Sequence, residues 1–211
     1  MKNERSKKLE IMLPIGIIVI AVCFQLLHLL PVDMKILDPI SVVFNAILAG
    51  GLAFFVLRDE FKDWFKHFSI KWTIIGIPTL FLTSLIFGSL WKVILGGAPV
   101  PNDVNSMLSW GYVLSHVPFL LIGEELLCIT LLYVAWKKLG LKFWQASLIC
   151  AALFAVWHLP SYGNNLPQVL ITIIPARLVL NYLFKKTDSI WVTWVVHVAF
   201  DVISFLPILL K

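Results

Sequence analysis

Charged residues are scarce in this sequence. Asp, Glu, Lys and Arg make up 14% of its 211 residues, whereas they make up about a quarter of an average soluble domain. Hydrophobic residues reach 60%, and they form long blocks that leave almost no polar surface to face water. This pattern excludes an ordinary water-soluble fold and indicates that the lipid bilayer is the solvent. The predicted fold class is all-α: a polytopic transmembrane helical bundle that forms a single domain over residues 1–211.

Cysteine is scarce as well. The chain has three cysteines, Cys23, Cys128 and Cys150, and no CxxC pair, which argues against both a disulfide framework and a thiolate metal site. Basic runs interleaved with aromatic residues in a hydrophilic region are also lacking. We therefore expect no nucleic-acid partner, although the formal net charge is +5.

Seven apolar blocks predict about seven membrane spans. They cover residues 9–30, 39–57, 72–95, 107–136, 143–157, 166–184 and 190–210. With a cytoplasmic N-terminus, the segments on the inside hold 13 of the 17 Lys and Arg residues, and those on the outside hold two. The positive-inside rule thus predicts a cytoplasmic N-terminus. We interpret the chain as an integral membrane protein, most simply of a bacterial plasma membrane.

Several ionisable side chains lie within these blocks, where a charge at a helix centre costs about 2.5 to 3.5 kcal/mol. They are Lys92, Glu124, Glu125, Arg177, His197 and Asp201. Such groups usually face a wet or protein-lined cavity. Because successive residues point about 100° apart on a helix, Glu124 and Glu125 cannot both serve one small site. We expect one of them to face a cavity and the other to have a local partner.

The fifth block is too short to cross the membrane. Its fifteen residues span about 22 Å, against a hydrocarbon core of roughly 30 Å. Irregular backbone within the membrane survives only where it is buried in protein or lines water, so His158, which follows this block, is expected beside a cavity. His197 and Asp201 are four residues apart and project from one helical face. With Glu124 as general base, these four side chains form a set capable of activating water.

Three motifs in this order resemble those of the CPBP family of intramembrane proteases, the CAAX-processing and bacteriocin-processing enzymes that are also called the Abi family. The matching residues are Glu124 and Glu125 of the first motif (E-E-x-x-x-R), Phe154 and His158 of the second (F-x-x-x-H), and His197 and Asp201 of the third (H-x-x-x-N or D). The resemblance covers about residues 107–205, which we interpret as the catalytic core.

The resemblance implies that Glu124 and His158 activate a water that attacks the scissile carbonyl, while His197 and Asp201 hold or polarise the developing oxyanion. It implies an intramembrane endopeptidase whose partners are the lipid bilayer and a hydrophobic or leader-bearing peptide or protein substrate. Bacteriocin processing and self-immunity are compatible roles. The family is often described as metalloproteases. The two histidines and the carboxylates are candidate ligands for a divalent metal, but there is no HExxH helix, and metal dependence stays open.

One position departs from the first motif: Ile129 stands where the family has arginine. We predict that Arg177 replaces that cation and pairs with Glu125, so that both residues support the site. The alternatives are that Arg177 snorkels or meets Asp201. The departure also leaves open a noncatalytic membrane immunity protein or regulatory scaffold. An ion-coupled or proton-coupled transporter is a third possibility, although the sequence shows no inverted repeat.

Overall fold

A computed structural model of the protein describes residues 2–95 and 99–211. Within these ranges the regular structure is entirely helical, which confirms the predicted all-α bundle. The α-helices are α1 (Lys2–Leu26), α2 (Met34–Leu57), α3 (Asp59–Asp63), α4 (Ile70–Leu95), α5 (Trp110–Ser115), α6 (Val117–Tyr133), α7 (Phe143–Trp157), α8 (Leu166–Thr187) and α9 (Ile190–Leu209). Short 3₁₀ or π turns lie between several of them.

Six helices in the described ranges are long and apolar enough to cross a membrane, namely α1, α2, α4, α6, α8 and α9. The seventh apolar segment is α7, whose 15 residues make it a shorter helix. Where we predicted about seven spans, the described ranges thus hold six candidate spans and one shorter apolar helix, whose length indicates that it does not span by itself. The cytoplasmic location of the N-terminus stays a prediction.

We predicted that the fourth apolar block, residues 107–136, forms a single span. In the structure this block forms two helices. Helix α5 ends at Ser115, and α6 begins at Val117. Pro118, in the first turn of α6, lacks the N–H that would continue the hydrogen bonding of α5. At the break, His116 Nε2 lies 2.9 Å from Asp38 Oδ2 of α2. Hydropathy alone does not register such a break, because apolar residues predominate on both sides of it.

Helix α6 lies at the centre of the bundle, in contact with α1, α2, α7 and α9. The approach of α2 and α6 is close at Gly123. A Cβ at this position would lie 2.8 Å from Asn45 Cβ and 2.9 Å from the backbone nitrogen of Ala46, so the two backbones meet where only glycine fits. This contact places the residue that follows Gly123 at a defined depth in the bundle.

The segment between α2 and α4 packs against the ends of α6 and α8. Trp64 is buried and makes edge contacts with Tyr133 of α6 and Phe184 of α8. The Trp64 carbonyl also accepts a hydrogen bond from the backbone N–H of Ile190, at 3.0 Å. The start of α9 is thereby tied to this segment, and α9 carries the third motif.

Candidate active site

A cavity of about 570 Å³ lies among α6, α7, α8, α9 and the segments that join them. Glu124, His158, His197 and Asp201 all line it. The four residues that the sequence singles out therefore come together from two helices, α6 and α9, and from the end of a third, α7. The role of each residue depends on its contacts within the cavity.

Glu125 points away from the cavity and pairs with Arg177. The guanidinium Nη1 and Nη2 lie 2.6 and 3.0 Å from the two carboxylate oxygens, and neither side chain is exposed. This is a bidentate, charge-assisted pair, and it is the pair predicted from the departure in the first motif. Ile129, at the position of the family's arginine, is fully buried. The cation thus comes from α8 instead of from α6 itself.

A buried amide holds Arg177 in place. Arg177 Nε donates to Asn181 Oδ1 at 2.9 Å. Asn181 Nδ2 in turn donates to the carbonyl and the hydroxyl oxygen of Ser147 on α7, at 3.2 and 3.1 Å. Sequence reasoning missed Asn181 and Ser147. The available signal was that Asn181 follows Arg177 by four residues and so shares its helical face.

His197 is oriented by Glu125. Its Nδ1 lies 2.9 Å from Glu125 Oε1, and since an ionised carboxylate only accepts hydrogen bonds, this ring nitrogen is the donor. The other nitrogen, Nε2, is left for the cavity that His197 lines. Glu125 therefore joins Arg177 to His197, and the orientation of the imidazole depends on this carboxylate. Asp201 lines the cavity one helical turn further along α9.

Glu124 and His158 face each other across a short gap. Glu124 Oε2 lies 3.9 Å from His158 Nε2, which exceeds the roughly 2.7 to 3.2 Å of a direct hydrogen bond. His158 Nδ1 lies 2.9 Å from the Phe154 carbonyl. Because a carbonyl only accepts, Nδ1 carries a proton, and in the neutral ring Nε2 is then a free acceptor. The two acceptors are thus close enough for a single water, placed beside the line that joins them, to hydrogen-bond to both.

The end of α7 produces this orientation of His158. The helix ends at Trp157, and His158 is its C-cap residue, with its backbone N–H bonded to the carbonyls of the last turn. Pro160 begins the next 3₁₀ turn and prevents the helix from continuing. The predicted end of the helix at this point of the chain is confirmed, and it leaves the imidazole at the cavity wall; that this end lies within the membrane stays a prediction.

Sequence reasoning also missed three polar residues that lie in the connecting segments or at the start of α8. Tyr162 and Gln168 line the cavity, together with Asn102 from the segment before α5. Burial raises the pKa of the Tyr162 phenol, so this hydroxyl remains a hydrogen-bond donor at neutral pH. No pattern in the sequence separates these residues from other polar residues in loops or at helix starts, because they reach the cavity only when the chain is folded.

The donor set does not fit a metal centre. Among residues 2–95 and 99–211, no group of three or more His, Cys, Asp or Glu side chains is placed to hold a metal ion. Glu125, which lies beside His197, has both carboxylate oxygens bonded to Arg177. Zinc sites in enzymes normally take three protein ligands. We therefore assign no step of the chemistry to a metal.

Comparison with known proteins gives one match. Residues 105–203 match the family model described as "Type II CAAX prenyl endopeptidase Rce1-like". The match covers just under half of the chain and includes every residue of the three motifs. The resemblance predicted from those motifs is thereby confirmed for this part of the chain. No curated protein and no solved structure matches the chain.

Proposed function

Starting from the match of residues 105–203 to the CAAX prenyl endopeptidase family, we propose that this membrane protein is an intramembrane endopeptidase. Its reaction is hydrolysis of a peptide bond in a hydrophobic or leader-bearing peptide or protein. The observation that carries the proposal is the 3.9 Å gap between Glu124 Oε2 and His158 Nε2 within the shared cavity.

A water in that gap is oriented for attack. With Glu124 ionised and His158 Nε2 unprotonated, the water donates one hydrogen to each residue, and its lone pair faces the rest of the cavity. As the water oxygen bonds to the scissile carbonyl carbon, its proton passes to Glu124 or His158. The same proton then goes to the leaving amine as the C–N bond breaks. General acid–base catalysis of this kind contributes about 10²- to 10⁴-fold in rate.

The oxyanion formed by this attack requires a hydrogen-bond donor. We assign that role to His197 Nε2 in the doubly protonated imidazole, since Nδ1 is already held by Glu125. An ionised Asp201 cannot donate a hydrogen bond, so we assign it to electrostatic support of the charged His197 from one turn away. Glu125 and Arg177 act through His197 and are positioning residues.

We place this activity in a bacterial plasma membrane, with bacteriocin processing or self-immunity as its biological outcome. The noncatalytic scaffold is the other candidate, and it was motivated by Ile129 in place of the family's arginine. Arg177 supplies a cation to Glu125 at 2.6 Å, which removes that motivation. The geometry therefore favours the enzyme.

The test is cleavage of a peptide library by the purified protein in liposomes. We expect Glu124→Gln and His158→Ala each to lower the cleavage rate by about 100-fold or more, because the first removes the carboxylate that can take the proton of the water and the second removes the imidazole acceptor. Glu10→Gln and His67→Ala make the same chemical changes outside the cavity and should retain the wild-type rate. Wild-type cleavage by folded Glu124→Gln and His158→Ala proteins would overturn the proposal.

A further inference from the structure

Gln168 holds the backbone of another segment through both ends of its side-chain amide. It lies in the first turn of α8 and is 3% exposed. Its Oε1 accepts a hydrogen bond from the backbone N–H of Val100 at 3.0 Å, and its Nε2 donates to the Val100 carbonyl at 2.7 Å. A neighbouring β-strand makes the same pair of bonds to one residue of an extended chain.

The conformation of Val100 follows from its neighbours. A residue that precedes proline is confined to extended backbone, and Val100 precedes Pro101. In extended backbone the N–H and the C=O of one residue point to the same side of the chain, where a single amide can meet both. Pro99 and Pro101 have no N–H, so Val100 is the one residue of these three that can donate to Gln168.

This extended segment lies in the cavity that holds the candidate catalytic residues. Residues 99–102, which we name the strap, line the same cavity as Glu124 and His158. The Val100 side chain packs toward Gly163, where an added Cβ would lie 3.4 Å from Val100 Cγ1. Both the backbone and the side chain of an extended apolar residue are therefore contacted within the cavity.

We propose that Gln168 binds the backbone of the substrate, and that the strap occupies this position in the free protein as an internal substitute for it. The inference rests on the proposed endopeptidase function. It defines the substrate class as an extended peptide with a non-proline, small or β-branched apolar residue opposite Gln168. Displacement of the strap exchanges two hydrogen bonds for two of the same kind, so these bonds add little to the net free-energy cost of substrate binding.

Two variants release the strap in different ways. Val100→Pro removes the strap's N–H donor and leaves Gln168 free to bind another chain. Gln168→Leu also releases the strap, but it removes the amide on which the substrate depends. Val100→Ala keeps the backbone donor and is the matched control for the loss of the valine side chain. Gln168→Glu, which retains the acceptor and lacks the donor, provides a second variant should Gln168→Leu fail to fold.

The binding probe is a fluorescent synthetic peptide that copies residues 99–106, Pro-Val-Pro-Asn-Asp-Val-Asn-Ser. Its affinity for full-length protein in nanodiscs is measured by fluorescence anisotropy. We expect Val100→Pro to bind the probe about 5-fold more tightly than wild type, the factor that corresponds to one lost competing hydrogen bond. The double variant Val100→Pro/Gln168→Leu should bind about 10-fold more weakly than Val100→Pro. A probe N-methylated at its first valine should lose the gain.

A purely structural role for Gln168 predicts a different pattern. If Gln168 only fastens the strap, Val100→Pro and Gln168→Leu both empty the position and bind the probe equally well. Equal binding by these two variants, or equal binding of the N-methylated probe, overturns the proposal. With a cleaved peptide, we expect Val100→Pro to lower KM and Gln168→Leu to raise it, with kcat within about 2-fold of wild type in both.

The binding assay separates this inference from the proposed function. Binding of the probe does not require hydrolysis, so the measurement can be made on Glu124→Gln protein. Absence of cleavage by the wild type and by every variant would count against the endopeptidase. It would leave the binding pattern of Gln168 intact. Cleavage by wild type combined with equal probe binding by all variants would count against Gln168 alone.

Discussion

Arg177 reaches Glu125 from α8, whereas the family's first motif places its arginine on the same helix as the glutamates. The two carboxylate oxygens of Glu125 bond to Nη1 and Nη2 of Arg177, and one of them also bonds to His197. A carboxylate and a guanidinium that are both fully buried leave an uncompensated charge when either is removed. The partner of Glu125 has thus moved to another helix, and the ion pair is retained.

We expect Arg177→Met to lower the free energy of unfolding by about 3 to 5 kcal/mol, because Glu125 is left buried without its cation. The double variant Ile129→Arg/Arg177→Met should recover part of that loss and part of the cleavage activity. Residue 129 follows Glu125 by four positions, so an arginine there lies on the same face of α6. Thermal unfolding in detergent measures the stability, and the liposome assay measures the activity.

Ile129→Arg alone is the control for this exchange. It adds a second guanidinium to a buried position that already has Arg177 nearby, and we expect it to be destabilising. If the double variant is no more stable than Arg177→Met, residue 129 cannot supply the cation. The account of the motif departure would then be wrong.

Helix packing positions these side chains, and at Gly123 the backbone of α6 lies close to the backbone of α2. Because glycine at position 123 has no side chain, the backbone of α2 can lie directly against α6. A Cβ at this position would lie only 2.9 Å from the backbone nitrogen of Ala46. Glu124 is the next residue of α6. A displacement of α6 at this point therefore changes the position of Glu124 relative to His158 on α7.

We expect Gly123→Ala to lower the free energy of unfolding by about 1 to 3 kcal/mol, the usual cost of overpacking, and to reduce the cleavage rate. Gly51→Ala is the matched control on α2, since a Cβ there meets nothing within 4 Å. Alanine favours helix over glycine by up to about 1 kcal/mol, so Gly51→Ala should be neutral or stabilising. Equal stability of the two variants would show that α2 and α6 can separate without penalty.

The whole molecule has an orientation in the membrane that charge asymmetry predicts. The segments predicted to lie inside carry the great majority of Lys and Arg residues, including Lys71, and the segment with Ser106 is predicted to lie on the other side. If this topology holds, the strap and Gln168 are at the extracytoplasmic end of the cavity, and the substrate enters from that side or laterally from the bilayer.

Labelling with a membrane-impermeant maleimide tests this orientation in spheroplasts. Exposed single cysteines are introduced by Ser106→Cys and Lys71→Cys in a Cys23→Ser background, since Cys128 and Cys150 are buried. We expect Ser106→Cys to be labelled in intact spheroplasts and Lys71→Cys only after permeabilisation, because the positive-inside rule places position 71 in the cytoplasm. The reverse order of labelling would invert the predicted topology.

Composition and spacing alone determined the helical membrane fold, the short seventh helix and the four cavity residues Glu124, His158, His197 and Asp201. These features are local: the length of an apolar block and the cost of an ionisable group in lipid belong to the residues themselves. The partner of Glu125 was predicted because the motif lacks its cation, and few other polar residues lie within the spans.

Only the tertiary structure decided the contacts between distant segments. It broke the fourth block at His116, gave Glu125 two partners, linked Arg177 through Asn181 to α7, and set Gln168 against Val100. Pairs such as Gln168 and Val100, separated by 68 positions, have no periodicity or spacing that joins them. Their contact depends on how neighbouring helices are placed, and that placement is set by interhelical packing, which no local pattern encodes.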